Sequence, residues 1–209
     1  MYPRLRIPNW RPGDARCLAD HQQSRRRGIY AEVVDGLDHP AARSALASFL
    51  AGGRSGVAVE PYLVVVREDV AAVALRNAKS RYVIMVNEVD GQWETPQMMT
   101  VGELPREAPD RDFRPSFIQR LEIARNGPPS ADGGPPESSS ITLSGFVASG
   151  AQSIEVSSSL DEYVTDVADD GFVLAVLRSP WREKPAVVVA LSDGRRIPCA
   201  HPSLAFTER

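Results

Sequence analysis

A chain of 209 residues with 43% hydrophobic content is long for one compact domain and comfortable for two small ones. Its longest apolar runs, Tyr62–Val66, Val70–Leu75 and Phe172–Leu177, fall far short of the roughly 20 residues that cross a bilayer, so no membrane span is expected. The net charge of −3 conceals an asymmetry: residues 1–29 carry seven arginines against Asp14 and Asp20, a net +5, ahead of a body of −8. A basic arm on an acidic body can meet an acidic protein partner or a nucleic acid, or fold back onto its own body; a protein partner is favoured over nucleic acid because the body repels a polyanion. The charged, proline-bearing start (Arg4, Arg6, Pro8, Arg11, Pro12) lacks the apolar stretch of a signal peptide. Two cysteines, Cys17 and Cys199, do not make a disulfide framework and suit a reducing compartment. A cytoplasmic location is the expectation.

In chain order, residues 1–13 hold three prolines and no periodicity and are predicted to be an extended arm. A helix is predicted from Asp14 towards Val34. A second follows, with Asp38 as N-cap, Pro40 in the first turn, Leu46, Phe49 and Leu50 on the apolar face and Gly52 closing it. The period then turns strand-like over Val57–Glu68, Val70–Arg76, Arg81–Val89 and Trp93–Val101. Asp90-Gly91 suits a two-residue hairpin, whose turn needs positive φ at both positions. Residues 14–104 therefore read as an α+β domain of two helices plus an antiparallel meander.

Residues 105–140 read as a linker with a short helix. Ser116–Arg125 places Phe117, Leu121 and Ile118 on one side, and residues 126–140 are too poor in apolar groups to offset their ordering entropy. Residues 141–209 read as an all-β sandwich. Its strands are predicted at Ile141–Ala148, Gln152–Ser157, Tyr163–Val167, Phe172–Leu177, Ala186–Leu191 and Arg195–Cys199, with turns at Ser149-Gly150, Asp169-Asp170-Gly171 and Asp193-Gly194.

The pattern Gly145-Phe146-Val147 through Gly150-Ala151 and Ile154, then VADDGFVLAVL and AVVVALSDGRRI, resembles a small bacterial immunoglobulin-like or transthyretin-like sandwich over residues 141–206. Modules of that kind bind or space partners more often than they catalyse. Residues 14–103, with the hairpin Asp90-Gly91-Gln92-Trp93, resemble nuclear-transport-factor-2-like or cystatin-like folds. That resemblance implies helices set against a curved sheet with a cone-shaped pocket between them.

Chemistry-bearing groups are sparse. Cys17, His21, Cys199 and His201 are the soft ligand types zinc accepts, but their spacing does not form two knuckles, and no metal or cofactor is expected. Asp169-Asp170-Gly171 reads as a solvated turn before it reads as a calcium loop. Gly52-Gly53-Arg54-Ser55-Gly56 follows a helix, whereas a phosphate loop opens one. No Gly-x-Ser-x-Gly elbow occurs, and no catalytic residue is assigned. Arg25, Arg26 and Arg27 at a helix end suit a partner contact, and Trp181, in a loop between strands, reads as a lid on the sandwich end or as an exposed binding anchor, the lid being slightly favoured.

These features predict a non-enzymatic interaction or regulatory protein that uses a basic arm and a β-sandwich. The alternative is a small-molecule-binding or enzymatic α+β domain with a pocket between helices and sheet, lined by Tyr62, Tyr82 and Trp93.

Overall fold

Strand-forming sequence dominates the chain, and the computed structural model places it in three antiparallel sheets. The structure describes residues 33–34, 38–54, 58–96, 102–107, 110–127, 134 and 136–199. The expected arm, the body of the first predicted helix with Arg25–Arg27, Cys17, His21 and His201 lie outside the described residues.

The first sheet contains β1 (Val33–Val34), β2 (Glu60–Arg67), β3 (Val70–Arg76), β4 (Ser80–Val89), β5 (Gln92–Glu94) and β6 (Gly102–Pro105). They run in the order β1-β2-β3-β4-β5, and β6 also pairs with β4. The second sheet is β11-β8-β7, with β7 at Ile118–Asn126, β8 at Ser138–Val147 and β11 at Phe172–Pro180. The third is β10-β9-β12-β13, with β9 at Ala151–Ser157, β10 at Glu162–Asp166, β12 at Ala186–Leu191 and β13 at Arg196–Pro198. One helix, α1 (Pro40–Phe49), continues as a π turn over Leu50–Arg54.

Side-chain alternation explains the layering. Successive residues of a strand face opposite sides of its sheet. In β3, Val70, Ala72 and Ala74 join one core, while Ala71, Val73 and Leu75 join another. β4 divides likewise, with Val83 and Met85 on the first side and Tyr82, Ile84 and Val86 on the second. The second side receives α1 through Ala41, Ala42, Ala45 and Phe49. The small alanines let the helix approach the sheet closely, and the Phe49 ring settles 4.8 Å from that of Tyr82. The first side faces β11, whose residues Phe172–Leu177 are buried on both faces. β11 meets β2 and β3 on one side and β9 and β10 on the other. The middle sheet thus lies between the other two, and a fully apolar run is what such a strand requires.

Several expectations are corrected. The α+β arrangement of two helices plus a meander gives way to a mostly β architecture, with 56% strand, 9% helix and one short helix among the described residues. Val33–Val34, expected as a helix end, pairs instead with Val65 and Val64 of β2. The cap of α1 is His39, not Asp38. Ser116–Arg125, expected as a short helix, contributes to β7. Its helical look has a local cause: a bulge between Gln119 and Glu122, with Arg120 at φ 52°, inserts one extra residue. The three-residue step from Ile118 to Leu121 then acts as the two-residue step of a strand. Gly145 makes room for it, because a Cβ there would overlap Ile118 and the Gln119 carbonyl. Within the expected linker 105–140, Ile118–Asn126 forms β7 and Ser138–Ser140 begins β8; residues 108–109, 128–133 and 135 lie outside the described residues. Residues Ala31–Arg209 form one unit, and one buried core draws on β2, β3, β4 and the strands beyond residue 141. The Asp90-Gly91 turn does have both φ values positive, 51° and 77°.

Candidate interaction surface

The space between helix and sheet, where a pocket was the alternative expectation, is filled by side chains. Tyr82 is buried under Phe49, and Trp93 stands against the His39 ring with centroids 5.3 Å apart. Tyr62 faces the other way and packs 5.8 Å from Phe172. Beside it lies the most heavily buried charge described, Arg81, at 2% exposure.

Arg81 is a node between layers. It projects from β4 on the same face as Val83 and Met85, into a cage of Tyr62, Phe146 and Phe172 whose ring centroids lie 5.0, 5.2 and 4.9 Å from the guanidinium carbon. Nε donates to the Arg106 carbonyl at 2.6 Å, one terminal nitrogen to the Tyr62 hydroxyl at 2.6 Å, and the other pairs with the Asp170 carboxylate. Burial pushes the Tyr62 hydroxyl well above its ordinary range, against the lowering pull of Arg81. Burial also pushes the Asp170 carboxyl up. The Arg81 hydrogen bond and charge and the Phe172 amide outweigh it, leaving Asp170 below the usual carboxylate range. At the expected solvated turn Asp169 is exposed, while Asp170 ties the turn to Arg81 and Gly171 is buried. Arg111 lies across it, donating to the carbonyls of Val147, Ala148 and Asp169.

Trp181, the loop residue singled out in the sequence, lies half-buried at one end of the sandwich, its amide donating to the Glu137 carbonyl at 3.0 Å. The loop that carries it is clasped to the loop joining β9 and β10. One Glu183 carboxylate oxygen accepts from the Ser159 amide at 2.6 Å, and the other accepts from the Ser159 hydroxyl. The Ser158 hydroxyl accepts from the Leu160 and Asp161 amides, both at 3.1 Å, and donates to the Arg178 carbonyl at 2.6 Å. Two buttresses rise from below. Arg67 of β2 forks onto Asp161, which also accepts from the Arg178 amide at 2.9 Å. Arg125 of β7 donates to the carbonyls of Pro180 and Glu183, and burial lowers its pKa against the raising effect of Glu183.

This framework holds Leu160 at 58% exposure, with Val164 of the edge strand β10 at 59%. Arg182 and Lys184 flank Trp181 and are exposed. A large apolar side chain held out on a loop whose backbone is already hydrogen-bonded loses little entropy on docking.

An open cleft of about 600 Å³ shares Glu137 and Arg178 with this framework and is lined also by Asp69, Glu88, Asn87 and Asn126 among others. Among the described residues no group of three or more His, Cys, Asp or Glu is placed to hold a metal ion, and no helix is long and apolar enough to cross a membrane. Cys199 is half-buried against the main core.

The sequence pointed to Trp181 alone at this surface. Leu160, Ser159 and Glu183 escaped notice because the clasp joins residues 24 positions apart. No protein-family model, curated protein or solved structure matches the chain.

Proposed function

We propose that this chain is a non-enzymatic protein-interaction or regulatory protein that docks a protein partner on the clasped loops at the end of its sandwich. The observation that carries this reading is the exposure of Leu160 on a loop hydrogen-bonded to the loop that carries half-buried Trp181. The filled helix–sheet interface, with Phe49 on Tyr82, favours it over the alternative of a ligand pocket there. The resemblance of residues 141–206 to an immunoglobulin-like or transthyretin-like module points the same way, since such modules present end loops to partners.

Arg25, Arg26 and Arg27 add a second, electrostatic contact in this proposal, directed at an acidic protein surface rather than nucleic acid. The cytoplasm is its setting, on the reading that two cysteines without a disulfide framework suit a reducing compartment.

The test retains partners from native extract on the intact chain and on L160D. One protein should be retained in stoichiometric amount by the intact chain and lost from L160D, whose melting temperature should be unchanged. Equal retention by both would remove the loops from the interface.

A further inference from the structure

Helix α1 starts on an imidazole. His39 has extended backbone angles, φ −68° and ψ 136°, and its Nδ1 accepts the Ala41 amide at 3.2 Å. The first turn of the helix contains no acidic residue. The same ring meets Trp93 of β5 edge to face, at 5.3 Å and 69°. One side chain therefore holds both the first turn of the helix and its contact with the sheet beneath.

An imidazole nitrogen accepts a hydrogen bond only when it carries no proton, and both nitrogens of imidazolium are donors. Protonation turns the Nδ1 acceptor into a donor aimed at another donor, and it adds positive charge at the positive end of the helix dipole. The surrounding charges offer the cation other partners. Asp38 precedes it, and Glu88 of β4 is the register partner of Trp93, on the same face of the sheet. Arg43 of α1, whose guanidinium donates to the Asp38 carbonyl at 3.2 Å, repels it from the helix side. Glu94, next to Trp93 on β5, belongs to the opposite face.

We propose that His39 is a proton-operated latch on helix α1: the neutral ring caps the first turn and braces Trp93, and the cation releases the cap and turns to Asp38 and Glu88. The first turn, with Ala41 and Ala42, then loosens from the sheet as pH falls and the ring takes up its second proton. The sign follows from the cap, which needs the deprotonated ring and is lost when it is protonated.

The test uses the full chain and follows the Ala41 amide by NMR from pH 8 to pH 5. Once the intrinsic dependence of exchange on pH is divided out, the opening of this amide should rise roughly five- to tenfold as one proton binds, the loss of a cap plus an opposed dipole. Trp93 emission in a W10F/W181F background should change with the same midpoint. In H39N, and independently in H39S, the cap acceptor does not titrate, so both signals should stay flat. A wild-type chain whose Ala41 amide ignores pH would overturn the latch, and so would variants that keep the wild-type midpoint.

Discussion

Removing the charge from Arg81 while keeping its length, as in R81M, tests how firmly the layers are pinned together. The methionine retains contact with Tyr62, Phe146 and Phe172 but leaves the Arg106 carbonyl and the Tyr62 hydroxyl without their donor. Each buried orphan costs about 1–3 kcal/mol. Arg106 is exposed and the Asp170 side chain is 39% exposed, so both recover water, and R81M should cost about 1–3 kcal/mol for the Tyr62 hydroxyl. D170A is the harsher change. It strands a cation that is 2% exposed and does not deprotonate, and breaking a buried pair from that side costs about 3–5 kcal/mol. For a chain of this size that is a melting shift of roughly 6–20 °C. The double variant should cost clearly less than the two singles together, because they share one interaction. Urea unfolding of the four proteins at pH 7 measures all of this. Single variants within about 0.5 kcal/mol of wild type, the usual range for unremarkable surface changes, would refute Arg81 as the pin.

The same pair has a pH signature. Because Asp170 is held below its unfolded value, its contribution is present above about pH 4 and lost as pH falls through the carboxylate range, so R81M should flatten stability against pH there. Gly171 sits at φ +84°, and a Cβ there would overlap the Arg111 guanidinium, whereas Gly150, at φ +88°, has nothing within 4 Å. Calorimetry should therefore show G150A costing about 1 kcal/mol and G171A about 2–4 kcal/mol, since strain and overlap add. F49A should cost about 3–5 kcal/mol by emptying the helix–sheet core, with the loss visible in urea unfolding. A protease nick between residues 127 and 136 should leave two fragments that elute together, because one buried core draws on strands from both sides of the cut.

Much of the strand pattern was legible. Val70–Arg76 and Ala186–Leu191 match β3 and β12 residue for residue, because each is built on an unbroken apolar run. The Asp90-Gly91 hairpin was legible because its chemistry is local. β7 was not, since a bulge gave a strand a helical spacing. β1 was not, since two valines reveal a strand only when β2 arrives to pair with them. Asp38 looked the better cap by composition, yet the imidazole of His39 reaches the Ala41 amide while bracing Trp93. Nor is there a local sign that β3 and β4 have two apolar faces, of which α1 covers one and the later strands cover the other. At the candidate surface, Trp181 stood out as a loop tryptophan. The Arg67–Asp161 fork and the Ser159–Glu183 clasp span 94 and 24 residues, separations over which sequence carries no contact signal.

Placing a photo-crosslinking phenylalanine analogue at position 160 of the full chain, with a second version at Asp90 in the exposed first-sheet hairpin, most directly tests whether the clasped loops form the docking surface. Irradiation in native extract should give one dominant protein adduct from position 160, abolished by W181A in the same chain, and none from position 90. An adduct from position 90 with none from position 160 would contradict the account.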